Sequence, residues 1–248
     1  KQGIHCLNKD KRKFTDNAYG GYSEYFIRSY YQSIEINKKV NSEIAIFSEP
    51  LSTAINCSNQ CKVNNKILII GLGTISTLFL RVLYLKKHLK KNIFIVVKNN
   101  QQKKQAISMG FKNILNENLL EKKQMKFDRI FYFNSKVDFK KIIFNCTKPL
   151  TEIIIFGHIN KIEVNPKILI KKQLSIKGIH GYASVKNKNQ YVSDVEVAVR
   201  YIENEKIYIK DLIYSKNNLK NVEETISKIC SGFEKINNKT IFRSILLK

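Results

Sequence analysis

Gly71-Leu72-Gly73 is the segment of this sequence best suited to chemistry on a phosphate. Two glycines around one residue let a chain turn tightly and bring backbone amides against a pyrophosphate. A helix starting behind them adds partial positive charge. The third position of that fingerprint, where helix and strand pack closely, is Ser76 rather than glycine. The usual companion of such a turn is an acid at the end of the second strand, which accepts from ribose hydroxyls. Here the chain reads Val96-Val97-Lys98-Asn99-Asn100. Counting back from Met109-Gly110 puts Val97 or Lys98 at that position, and neither is acidic. Lys98, Lys103 or Lys104 could receive a 2′-phosphate. The other readings are solvated lysines in a Lys-rich chain, or a nucleotide site that has decayed.

Metal and thiol chemistry has weaker support in the residues themselves. Cys6, Cys57, Cys61, Cys146 and Cys230 are an odd number without the paired spacing of a zinc ribbon. They read as reduced thiols of a cytoplasmic protein. The histidines are His5, His88, His158 and His180, and none stands in a Gly-His-Glu context. Glu49, just before Pro50, reads as an acid at a helix start.

The glycine turn needs a buried strand before it and a helix after it, and the sequence supplies both. Residues 66–70 are short, apolar and β-branched, as in a strand covered on both faces. Residues 74–90 carry apolar side chains at helical spacing. A strand over 93–97 and a helix over 101–109, ending at Gly110, complete one strand–helix–strand unit. The alternation continues with a strand at 129–133, a helix at 139–146, and strands at 151–157 and 174–178. It predicts a parallel sheet covered by helices on both sides. Upstream, residues 20–27 read as a turn entering an aromatic strand, and 42–57 as a helix with a break at Pro50. Downstream, the pattern predicts a helix over 189–203, a strand over 207–214, a helix over 222–230 and a strand over 240–246.

The 248 residues can bury a substantial core, and 43% hydrophobic content excludes disorder as the default. No run approaches the roughly 20 apolar residues of a membrane helix. A formal charge of +24 predicts weak attraction to polyanions. A dedicated nucleic-acid surface would need clustered, Arg-rich cations. Here they are mostly Lys, spread over almost every segment, in a chain also rich in Asn and Ile.

Several motifs, in order, carry a resemblance to the zinc-type medium-chain alcohol and polyol dehydrogenases. Gly20-Gly21-Tyr22-Ser23-Glu24-Tyr25 resembles their "GG-aromatic-x-EY" strand, and Glu49-Pro50-Leu51-Ser52-Thr53-Ala54 their "EPL" helix. Ile69 to Ser76 is similar to their coenzyme turn, Ser108-Met109-Gly110-Phe111 to the following helix end, and Leu174 to Gly178 to the strand closing their coenzyme domain. Sorbitol and L-idonate dehydrogenases are the nearest in character.

The resemblance implies an α/β protein. A Rossmann-type doubly wound parallel sheet would occupy 51–182. Residues 1–50 and 183–248 would be the remainder of a GroES-like catalytic domain. It implies NAD or NADP as coenzyme, bound at Gly71, Gly73, Thr74, Ile75 and Lys98, and zinc in the complete protein. It further implies Glu49 and Cys6 on the metal side, with Glu49 and Tyr182 near the reacting alcohol. The implied substrate is a polyol, sugar acid or other secondary alcohol, and the implied assembly a homo-oligomer, without membrane or nucleic acid. The residue before Tyr182 is Gly181 where the family usually has Arg. The family's first zinc cysteine and its Gly-His-Glu ligand precede the first residue of this chain, so an N-terminally truncated enzyme is expected. A degenerate relative without catalysis and a basic protein associating with nucleic acid are the alternatives.

Overall fold

The computed structural model describes residues 33–133, 137–157, 159, 161–187, 190–213, 215–230 and 244–247. Two compact units emerge, one of residues 53–180 and one of residues 1–52 with 181–248.

In the 53–180 unit, six strands lie in one sheet in the order β3-β2-β1-β4-β5-β6. They are β1 (Ile67–Ile70), β2 (Ile93–Val96), β3 (Ile114–Leu115), β4 (Phe127–Tyr132), β5 (Thr147–Phe156) and β6 (Ser175–Ile179). Every pairing is parallel. The chain winds outward from β1 through β2 to β3, then returns to the other side of β1 for β4. That reversal is the switch point of a doubly wound Rossmann sheet. β1 is central and wholly buried, which is why it reads as an unbroken apolar run.

The register brings the carboxyl ends level, because Ile70 pairs with both Val96 and Tyr132. Leu68 and Ile70 face a cluster with Phe94, Phe127, Ile130, Tyr132, Ile142 and Ile153. A helix, α3 (Thr74–Leu85), buries Leu78, Phe79, Val82 and Leu83. Each such side chain contributes roughly 1.5–3 kcal/mol. Phe79 meets Phe131 with ring centroids 4.5 Å apart.

The remaining helices of this unit are α4 (Asn100–Ser108), α5 (Glu117–Lys123), α6 (Phe139–Cys146) and α7 (Pro166–Lys172). Asn99, Asn116, Asp138 and Asn165 cap their N-termini by accepting backbone N–H bonds. α4 stops at Met109, and Gly110 turns left-handed with φ 79°.

The other unit contains α1 (Ser42–Ala45) and the first residues of α2 (Ser48–Ser58), the helix inside which the division falls. It continues with an antiparallel hairpin, β7 (Ser184–Asn187) and β8 (Gln190–Ser193), then α8 (Asp194–Glu203). Parallel β9 (Ser215–Asn218) and β10 (Ser244–Leu247) follow, with α9 (Val222–Cys230) between them. The Asn37 N–H donates to the Glu203 carboxylate at 2.9 Å, and Lys216 pairs with Glu43 at 2.5 Å.

Three expectations from the pattern change. Pro50 does not break its helix; it is the third residue of α2, where the N–H would have no intrahelical partner. The break falls earlier, at Ile46 and Phe47, between α1 and α2. The helix expected from 189 starts at Asp194, because β8 takes Gln190–Ser193 and Ser193 with Glu196 forms a capping box. The strand expected over 207–214 contains a 3-10 turn, Lys210–Leu212, instead. The strand segment at 20–27 lies outside the described residues.

Candidate functional site

The level carboxyl ends of β1 and β2 leave their following loops side by side. Gly71 leaves β1 with φ 96°, a conformation that side chains rarely adopt, and its N–H donates to Val96 O at 3.1 Å. Gly73 is different. Its φ of −112° is open to any residue, it is exposed, and a Cβ built on it would meet nothing within 4 Å. Nothing among the described residues therefore requires glycine there. The missing side chain leaves open space directly over the N-terminus of α3, the approach a phosphate needs. Thr74 and Ile75, half-buried, form the first turn of that helix, which carries no acid.

Ser76 fits where the fingerprint has its third glycine. It is 1% exposed, and its hydroxyl is used by the turn itself. The Gly73 N–H donates to Ser76 Oγ at 2.7 Å, and Thr77 Oγ1 donates to Gly73 O at 2.7 Å.

Beside the turn lies a cleft of about 270 Å³, lined by Gly71, Val97, Lys98, Asn116, Glu117 and Val137, among others. Four segments supply these residues: the loop after β1, the end of β2 with its loop, the start of α5 after β3, and the connection after β4 that carries Val137. The structure thus brings Gly71 and Lys98 to one cleft. Glu117, whose position follows the third strand, brings a carboxylate to this cleft. No periodicity in the sequence points to it, because β3 is only two residues long.

Gln102 also escaped the sequence reading. It is 5% exposed on α4. Its Nε2 donates to Leu72 O at 2.8 Å, and its Oε1 accepts the Lys98 N–H at 2.9 Å. Its own N–H donates to Asn99 Oδ1 at 2.9 Å. One turn on, Gln105 Nε2 donates to Thr77 Oγ1 at 3.2 Å.

The residues that the resemblance associates with metal and substrate are Glu49, Tyr182 and Cys6. Glu49 is an exposed acid in the first turn of α2. Tyr182, 36% exposed, follows Gly181, which has φ 57°. The next residue, Ala183, is held by buried Asp194. The Ala183 N–H donates to the Asp194 carboxylate at 2.9 Å, and the Asp194 N–H donates to Ala183 O at 2.8 Å. Glu49 and Tyr182 belong to one compact unit, and the glycine turn and Lys98 to the other. Cys6 lies outside the described residues. Among the described residues no three His, Cys, Asp or Glu side chains gather as a metal site, and such sites need three protein ligands. The described residues therefore do not compose the implied zinc site. Burial pushes the Cys61 and Cys146 thiols up to about 12, so neither is a nucleophile near neutral pH. No described helix is long and apolar enough to cross a membrane.

No family model matches the sequence, and no curated protein is significantly similar. Solved structures are similar. L-idonate 5-dehydrogenase from Escherichia coli K-12 matches 88% of this chain with 60% of its own, at 17% identity and TM-score 0.69. A short chain alcohol dehydrogenase from E. coli CFT073, complexed with the cofactor NADH, matches 87% with 62%, at 19% identity and TM-score 0.69. A candidate zinc-binding dehydrogenase from Sinorhizobium meliloti 1021, bound to NADP, matches 84% with 62%, at 16% identity and TM-score 0.70. At these identities the likeness is one of fold. The chain shares the fold of these structures, and it spans about 60% of their length.

Proposed function

We propose that this chain is the coenzyme-binding part, with a portion of the catalytic domain, of an NAD(P)-dependent oxidoreductase acting on a polyol, sugar acid or other secondary alcohol. The observation that carries the reading is Gly73. It is a glycine that neither its backbone angles nor its neighbours among the described residues require, placed at the start of α3 beside a cleft at the switch point of the sheet. The backbone amides of Thr74 and Ile75 would take the pyrophosphate, with the helix N-terminus supplying partial positive charge. Lys98 and Glu117, on the loops after β2 and β3, would meet the adenosine end. When bound, the nicotinamide accepts or returns the hydride of the alcohol carbon. Glu49 is proposed as a ligand on the metal side of the complete protein, and Tyr182 as a hydroxyl beside the substrate. The first of these roles needs ligands beyond the described residues.

Titrating the 248-residue chain with NADH and NADPH, followed by nicotinamide fluorescence, tests the reading. Saturable binding of either in the micromolar range is expected. The departures at Ser76 and at the end of β2 favour a second reading, a relative that keeps the fold without the coenzyme. A flat titration with both nucleotides would establish it.

A further inference from the structure

The peptide plane between Leu72 and Gly73, the middle of the glycine turn, is hydrogen-bonded at both ends by side chains. Its carbonyl accepts from Gln102 Nε2 at 2.8 Å, and its N–H donates to Ser76 Oγ at 2.7 Å. The two groups point in opposite directions, as they must in a trans peptide. Gln102 and Ser76 thus grip the plane from two different helices, α4 and α3. Both side chains are nearly inaccessible, at 5% and 1% exposure. Burying polar groups in these places is favourable only because each is satisfied, and an apolar residue on α4 would pack without that demand. What the polar pair does that an apolar pair cannot is hold the plane against rotation. Leu72 anchors one side of this peptide by its burial. Gly73 on the other side has no Cβ to restrict it, and rotation of the plane would swing the following amides.

We infer that Ser76 and Gln102 are positioning residues that clamp the Leu72–Gly73 peptide, so that the amides of Thr74 and Ile75 are already set for a pyrophosphate. The inference rests on the dinucleotide reading above and deepens it. Ser76 is then not a worn third glycine. It is one half of a clamp whose other half comes from the next crossover. Gln102 has a second effect, because its Oε1 holds the Lys98 backbone at 2.9 Å and so ties the glycine turn to the end of β2. Pre-organisation of this kind raises affinity by removing the ordering that a ligand would otherwise have to impose.

The test is the NADH or NADPH titration on the full chain, with ADP and adenosine as competitors, for the wild type and for Ser76→Gly, Ser76→Thr and Gln102→Leu. Ser76→Gly restores the glycine of the fingerprint, and fingerprint logic alone expects equal or tighter binding. The clamp predicts the opposite: about tenfold weaker binding of dinucleotide and ADP, the scale of one organising hydrogen bond. Adenosine, which has no phosphate, keeps its affinity. Ser76→Thr retains the hydroxyl and restores binding. Gln102→Leu loses about as much as Ser76→Gly, and the double variant loses less than the sum, since both act through one peptide. Thermal unfolding of each variant shows that the fold survives. If Ser76→Gly binds ADP as well as the wild type does, or if adenosine weakens in parallel with ADP, the clamp is refuted and the dinucleotide reading stands. If the wild type binds neither dinucleotide, the dinucleotide reading itself fails.

Discussion

His88 lies just past α3, 4% exposed, with Nδ1 lacking a hydrogen-bond partner among the described residues. Burial and the nearby Lys86 charge hold its pKa below the ordinary 6.5, so the folded protein keeps it neutral. The unfolded chain takes up that proton near pH 6.5, so there it binds more protons than the native state does. Stability from this group is therefore complete above pH 6.5 and is lost as pH falls toward the lowered folded value. Urea midpoints measured from pH 7.5 down to 5.5 should decline, and the decline should be shallower in His88→Leu; equal slopes would remove His88 as its cause. Single residues also mark how far the sequence could be read. Gly71 was legible because its positive φ is a demand written into one residue type, and Gly73 because it completes the Gly-x-Gly spacing. Gln102 was not, since a glutamine in a polar helix breaks no pattern. Its partners, Leu72 and Lys98, stand thirty and four residues away in the chain. Only the fold makes them neighbours.

At the scale of elements, the buried strands were readable because central parallel strands must be apolar on both faces, as β1, β2 and residues 130–132 of β4 are. β3, with two residues, is too short to show any period, and with it went the loop that carries Glu117. The end of α7 was obscure for another reason. It stops at Gln173, with φ 48°, where a glycine would ordinarily mark the left-handed cap. α5 ends in the same way at Gln124, with φ 44°. A residue with a Cβ is strained in this region, so each glutamine holds its helix end at a cost. Gln124→Gly and Gln173→Gly should each stabilise the protein by about 0.5–1 kcal/mol in denaturant melts. No gain at either position would mean that the side chain makes contacts worth as much as the strain.

For the whole molecule, the loudest property is the charge of +24, and the question is whether it describes a function. A surface built to read nucleic acid concentrates Arg, whose planar fork holds phosphates and guanines bidentately. Here Arg12, Arg28, Arg81, Arg129, Arg200 and Arg243 are the only arginines among 44 basic residues. Arg129 is committed inside its own unit, to Gln60 O at 3.1 Å and Glu152 at 3.1 Å. Other cations are spent locally, Lys148 on Asp128 and Lys140 on Glu163. A diffuse lysine charge attracts polyanions through counterion release, which collapses as salt rises and ignores sequence. The chain should therefore be retained by duplex DNA at about 0.05 M salt and released by about 0.2 M. Unrelated DNA sequences should compete equally, and saturating NADH or NADPH should not displace the DNA. Retention of one sequence over others at 0.2 M salt would overturn this and make the charge a recognition surface. Displacement by the dinucleotide would place the DNA in the cleft beside Gly73. Without either result, the charge is a property of composition and not of a recognition surface.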